Sequence, residues 1–275
     1  GIKMGYRHID TAVVYNTEAP VGRGIKRALD DGLVKREDLF IVTKVWNDRH
    51  QDIAKSLEES LERLGLDYID LYHVHWPVHW KPGTNQYYED PHPTLLEVWD
   101  QMEDCYNKGK TRYLGVCNYN EDQVKETWEY AKIKPIINQV ECTPYWNQIK
   151  LNKFLQQYNM HITVYSALQP YGANYVTKWT DITKDPVLQK IAQKHNKSVQ
   201  QIALRLQLDL GNSVITKSFN PDRLQQNFDI STWSLDQDDL AEIIALPQAR
   251  YRNPNSWYLP VKSEFFWPKE ESQFD

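Results

Sequence analysis

Long apolar runs are missing from this chain. None approaches the roughly 18 to 20 residues that a membrane-spanning helix requires, and the opening stretch, "GIKMGYRHID", carries no apolar core of a secretory signal. Cysteine is scarce. Cys105, Cys117 and Cys142 are odd in number and form no C-x-x-C pair, which argues against both a disulfide framework and a zinc knuckle. A reducing compartment, the cytoplasm, is therefore expected. Excess positive charge is absent as well: the net charge is -5 and Lys and Arg are scattered, so neither nucleic acid nor an anionic membrane is an expected partner. Finally, no G-x-G-x-x-G follows a strand-like run, and a Rossmann nucleotide site is not expected. Gly22 and Gly24 of "VGRGIKRAL" follow Glu18 inside a helical pattern.

With 275 residues, 41% of them hydrophobic, the chain can bury a large core, and residues 1–275 read as one domain. Short β-branched or aromatic runs recur: "YRHIDT", "FIVTKV", "DLYHVHW", "TRYLGVC", "IINQVE", "HITVYSA" and "SVITKS". Each precedes a longer segment of helical period, the signature of a parallel sheet. In "DIAKSLEESLERLG", Ile53, Leu57, Leu61 and Leu64 share a face and Gly65 closes the end. About seven strand–helix units can be counted, where a closed (β/α)8 TIM barrel needs eight. Either one N-terminal strand lies outside this sequence or the sheet is open and doubly wound.

Two connections are longer than the rest, "PVHWKPGTNQYYEDPHP" and "LQPYGANYVTKWTDITKDP". Both leave the C-terminal end of a strand, the face on which such folds carry their sites, and are expected to form walls or a lid. The tail at about 248–275 holds Trp257, Tyr258, Phe265, Phe266 and Trp267 without a helical period, and reads as an ordered loop over that face.

Parallel strands bring their last residues to one place. Here those residues are Asp10, Lys44 and His75, with Tyr15 just beyond its strand. Taken singly, each is more readily a satisfied structural polar group than a catalytic one. Together they form a constellation, because ionisable groups ending apolar strands are costly to bury unless they pair. Asp10 is placed to hold Lys44, and Lys44 to sit beside the Tyr15 hydroxyl. An ammonium stabilises a phenolate, so such a Tyr can give a proton to a carbonyl oxygen as a hydride reaches the carbon. A neutral His75 would orient that carbonyl.

A second constellation is "VITKSFNPDRLQQN". Lys217 and Ser218 are expected to end a strand, Asn220 to cap a helix with Pro221 at its first position, and Arg223 to lie in its first turn. Such a helix N-terminus is either a phosphate site or an ordinary capped helix with solvated charges. His73 and His75 share a strand face as H-x-H, a spacing that can bind metal. Lys44 is a poor neighbour for a cation, and no metal site is expected.

These residues resemble the aldo-keto reductase family. "GYRHIDTA", "VGRGI", "VTKVW", "LGLDYIDLYHVHWP", "GKTRYLGVCN", "NQVEC", "VYSAL" and "ITKSFNPDRLQQN" fall in the family's order along essentially the whole chain, without the family's N-terminal hairpin and first barrel strand. The resemblance implies a (β/α)8 barrel that binds NADPH without a Rossmann domain, and a tetrad of Asp10, Tyr15, Lys44 and His75 with Tyr15 as general acid. It implies that Asn118 and Gln139 hold the nicotinamide carboxamide beside Cys117 and that Tyr165 stacks on the ring. Ser166 and Leu168 would lie near the pyrophosphate. Lys217, Ser218 and Arg223 would take the 2′-phosphate end, with Gln226 and Asn227 on the adenine; two basic groups there favour NADPH over NADH. Trp46, Trp76 and Trp257 would line an apolar pocket for a small-molecule carbonyl substrate, in a monomer.

The chain also departs from the family pattern. Cys117 stands where Ser is usual, His73 where an apolar residue is usual, and Thr143, Ala167, Thr216 and Gln226 replace common family residues. The implied reaction is NADPH-dependent reduction of an aldehyde or ketone to an alcohol. The alternative is a catalytically impaired binding or structural protein that keeps the barrel.

Overall fold

The computed structural model describes residues 1–86, 92–168 and 181–249. The chain divides into two compact units, Gly1–Asn138 with Tyr158–Met160, and Gln139–Gln157 with His161–Asp275. In the first, strands β1 (His8–Asp10), β2 (Phe40–Val45), β3 (Ile69–Val74) and β4 (Thr111–Cys117) pair in parallel and in chain order. Helices α1 (Glu18–Asp30), α2 (Ile53–Leu64) and α3 (Leu95–Asn107) connect them, and α4 (Glu121–Tyr130) follows. Every residue of β3, and all of β2 after Phe40, is buried. Continuous burial of this kind marks a parallel strand covered on both faces.

The helices start and stop where side chains can take their unpaired backbone groups. Asp52 accepts from the Lys55 N–H, and Gly65 closes α2 at φ 68°. Reciprocal caps of Thr94 with Glu97 and of Asn120 with Gln123 open α3 and α4. Gly22 lets α1 approach α2, since a Cβ there would stand 2.4 Å from the Leu64 carbonyl oxygen. Buried Glu18 then binds the layers: it accepts from Thr43 Oγ1 at 2.6 Å and from Arg63 Nε at 2.7 Å. Thr43 is thereby fixed one residue before Lys44.

Strand β5 (Ile137–Glu141) has its first two residues in the first unit and the rest in the second. The second unit pairs β6 (His161–Tyr165) in parallel with β7 (Ser213–Val214). It carries α5 (Ile149–Gln156), α6 (Pro186–His195), α7 (Val199–Asp209), α8 (Pro221–Phe228) and α9 (Gln237–Ile244). Ile182, Leu188, Ile191, Ile202, Leu206 and Ile243 form its core.

Six of the seven expected strands are found with small changes at their ends. The seventh is shorter than expected. β7 stops at Val214, with one further backbone bond from Ile215 N to Val164 O at 2.9 Å. Lys217 and Ser218 therefore lie past the strand, in the turn where Ser218 Oγ accepts from the Asn220 N–H. The polar run bends towards α8 instead of extending the sheet. Among the described residues no helix is long and apolar enough to cross a membrane, and none of the three cysteines is in a disulfide. Parts of both long connections and most of the aromatic tail, Trp257 included, lie outside the described residues.

Candidate active site

Lysine is among the residues most costly to bury unpaired, yet Lys44 is fully out of solvent at the end of β2. Its Nζ donates to Asp10 Oδ1 at 2.5 Å and to the Thr11 carbonyl at 2.9 Å. It also lies 5.1 Å from the centre of the Tyr15 ring. Burial works to neutralise the ammonium, but Asp10, with smaller help from Tyr15 and Cys117, outweighs it and raises the pKa well above the ordinary lysine range. The cation is thus permanent at any physiological pH.

Asp10 reaches it because it is the last residue of β1, in register with Val42 of β2. Tyr15 reaches it because the chain leaves β1 into a single 3₁₀ turn, Val13–Tyr15, closed by Asn16 in the left-handed conformation at φ 54°. The Tyr15 hydroxyl stands 3.4 Å from His75 Nε2, with the rings edge-to-face. His75 follows β3 and is held from two sides: its N–H donates to the Val45 carbonyl at 3.2 Å, and its carbonyl accepts from Asn118 Nδ2 at 3.0 Å. Tyr15 is 47% exposed where Lys44 is wholly buried. A half-exposed phenol thus lies beside a fixed buried cation, an arrangement suited to delivering a proton to a bound molecule.

Around it stand aromatic walls. Trp46 packs edge-on against His75 at 4.8 Å and against Trp80 at 5.4 Å, and Trp76 is buried. Trp80 is an addition to the residues expected from the sequence. So are the Thr11 carbonyl, which no side-chain pattern could reveal, and the link from His73 Nδ1 to Cys117 Sγ at 2.8 Å. The two histidines of the H-x-H pair thus have different partners. Among the described residues no group of three or more His, Cys, Asp or Glu could hold a metal ion.

The structure therefore brings Asp10, Tyr15, Lys44 and His75 together, with Trp46, Trp76, Cys117 and Asn118 in the same unit. The other candidates belong to the second unit. Gln139 is buried on β5, and Tyr165 ends β6. Ser166 follows at φ 56°, and Asn118, the residue after β4, has φ 62°. Asparagine adopts left-handed backbone readily, whereas serine populates it sparsely, so Ser166 is the outlier of the two, and outliers of this kind cluster where function fixes the chain.

At the start of α8 the expected unpaired N–H groups are already in use, because Asn220 Oδ1 accepts from the N–H groups of Asp222 and Arg223. Any anion there would be held by side chains. Lys217 and Arg223 are exposed, Lys217 Nζ lies 4.5 Å from the Phe219 ring centre, and Asn227 Nδ2 donates to Thr216 Oγ1 at 3.4 Å. Two such cations fit the chemistry of a phosphate.

A sequence profile described as "Aldo/keto reductase family" matches residues 2–247. Aldo-keto reductase family 4 member C11 of Arabidopsis thaliana is 39% identical, over 90% of this chain and 80% of its own length. Aldo-keto reductase family 1 member C1 of Pongo abelii is 39% identical, over 94% and 83%. The crystal structure of Bombyx mori aldo-keto reductase in complex with NADP superposes with a TM-score of 0.86 at 38% identity, covering 93% of this chain and 83% of that one. The fold class is thus the (β/α)8 barrel type expected from the sequence, with seven strands among the described residues.

Proposed function

Given that the chain belongs to the aldo-keto reductase family, we propose that it reduces an aldehyde or ketone to an alcohol with NADPH, with Tyr15 as the general acid. The observation that carries the reading is the buried Lys44 ammonium between Asp10 and the Tyr15 ring, with the Tyr15 hydroxyl 3.4 Å from His75 Nε2. NADPH, when bound, supplies the hydride. Tyr15 gives its proton to the carbonyl oxygen, and Lys44 stabilises the phenolate left behind. Asp10 and the Thr11 carbonyl keep Lys44 charged and in place. His75 Nε2, beside the hydroxyl, orients the carbonyl for transfer. Trp46 and Trp76 exclude water and favour an apolar or aromatic carbonyl compound.

For the cofactor, Asn118 and Gln139 would hold the carboxamide, Tyr165 would stack on the nicotinamide, and Ser166 and Leu168 would flank the pyrophosphate. Lys217, Ser218 and Arg223 would take the 2′-phosphate, with Gln226 and Asn227 on the adenine. The left-handed backbone at Ser166 and the exposed cations at 217 and 223 support these assignments. Residues 1–275 would act as one catalytic domain, a reading supported by a family match that runs from 2 to 247. A monomer in the cytoplasm completes the proposal, and three cysteines outside any disulfide are in keeping with it.

Tyr15→Phe is the test. It should leave NADPH binding, followed by quenching of tryptophan fluorescence, within twofold of wild type, and lower kcat for an aromatic aldehyde by about 10²- to 10⁴-fold. Retained turnover in Tyr15→Phe would remove Tyr15 from the role. A folded wild-type chain that binds NADPH but turns over no carbonyl would instead favour a binding protein.

A further inference from the structure

His73 and Cys117 form a buried polar pair to which the proposed reaction assigns no chemical step, although Cys117 is expected beside the carboxamide. Both are fully out of solvent. His73 lies on β3 in register with Lys44 on one side and Gly115 on the other, and its ring reaches along β4 to Cys117 two residues further on. The sequence leaves room for it: a Cβ at Gly115 would stand 2.9 Å from both Cδ2 and Nε2 of the ring. Burial, with Lys44 and His8 nearby, holds the pKa of His73 well below its ordinary value, so the ring is neutral and carries one N–H. Nε2 has no hydrogen-bond partner. A bare lone pair is cheaper to bury than an orphaned N–H, which puts the proton on Nδ1, donating to the Cys117 sulfur.

That bond lies beside a second tie between the same two strand ends, Asn118 Nδ2 to the His75 carbonyl. The paired ends carry His75, which would orient the carbonyl, and Asn118, which would hold the carboxamide. We propose that His73 is a positioning residue whose Nδ1–H grips the Cys117 sulfur and so fixes the end of β4, setting Asn118 against the His75 segment. The inference rests on the reductase reading above.

A double-mutant cycle of His73→Leu and Cys117→Ala in the full chain tests this, with His73→Asn as the conservative variant. The readouts are NADPH Kd by tryptophan quenching, kcat and KM for benzaldehyde, and ¹⁵N NMR of the histidine rings. Each single variant should weaken NADPH binding about tenfold, and the double variant should be no weaker than the worse single. KM for benzaldehyde measured at saturating NADPH should stay within threefold. His73→Asn, whose side-chain N–H can stand where Nδ1 stood, should recover most of the affinity. NMR at pH 7.5 should show a neutral ring protonated on Nδ1.

A merely structural pair would lower Tm while leaving Kd unchanged, which overturns the proposal. Additive losses in the cycle, or a proton on Nε2, overturn it as well. Should His73→Leu fail to fold, the comparison of His73→Asn with wild type and the wild-type NMR decide. A wild-type chain that neither binds NADPH nor reduces benzaldehyde refutes the reductase reading itself; active wild type with an additive cycle refutes only the role of His73.

Discussion

Removing the buried Lys44 would carry a cost with two separable parts. Lys44→Met keeps most of the volume but leaves Asp10, 7% exposed at its side chain, as a nearly buried carboxylate without its cation. Breaking a buried pair from one side costs about 3 to 5 kcal/mol, so the urea midpoint of Lys44→Met should fall accordingly. Adding Asp10→Asn removes the stranded charge and should restore a large share of that stability. On the proposed mechanism activity should not return, because the ammonium that would stabilise the Tyr15 phenolate is still absent. If the double variant regained turnover, Lys44 would be serving the fold and not the proton transfer. The tetrad was legible from sequence because a strict rule places it: ionisable residues at the ends of apolar parallel strands point to one face. The rest of the site was not. The Thr11 carbonyl belongs to the backbone, and the His73–Cys117 bond depends on a rotamer that fits only beside Gly115.

Two glycines in helix α1 make opposite predictions from the same chemistry. Gly22→Ala would drive a Cβ to 2.4 Å from the Leu64 carbonyl oxygen and 2.8 Å from Leu64 Cα. Because both contacts are backbone, α1 must move away from α2, and a loss of about 1 to 3 kcal/mol is expected. Gly24 is exposed and a Cβ there meets nothing within 4 Å. Gly24→Ala should stabilise by about 0.5 to 1 kcal/mol through the lower backbone entropy of alanine in the unfolded chain. Equal effects in thermal melts would mean that helix propensity alone governs both sites. At this scale the caps were the best-read features: Gly65 closes α2, and Asn220 with Pro221 opens α8, as their residue types require. Strand ends were read less well. "TRYLGVC" and "FIVTKV" match their strands, while "SVITKS" yields two paired residues, because Ser218 bonds to its own turn and local side-chain bonding competes with the ladder.

Over the whole molecule, the buried histidines set how stability responds to acid. His8, His50 and His73 all have pKa values below the ordinary 6.5; burial is the largest cause in each, and His50 is pushed down to about 3 with help from His79. The unfolded chain therefore binds protons at these sites at a pH where the native chain does not. The contribution of these groups is fully present above the unfolded pKa and falls as the pH drops through 6.5, since protonation favours the unfolded state. Each such group contributes up to about 1.4 kcal/mol per pH unit once the pH is well below 6.5 and still above its native pKa. The loss begins above the pH range in which carboxylates such as Asp236, held at about 2 by Lys194, release their own stabilisation. His50 isolates the effect, because it is buried, both its ring nitrogens lack partners, and it is not among the candidate site residues. Urea midpoints of wild type at pH 7.5, 6.5, 5.5 and 5.0 should decline with increasing slope. His50→Leu should reduce that slope, because a group pushed down to about 3 takes up its proton only in the unfolded chain over this range. An unchanged slope in His50→Leu would mean that the ring is protonated and hydrated in the native state, and that acid stability is governed elsewhere.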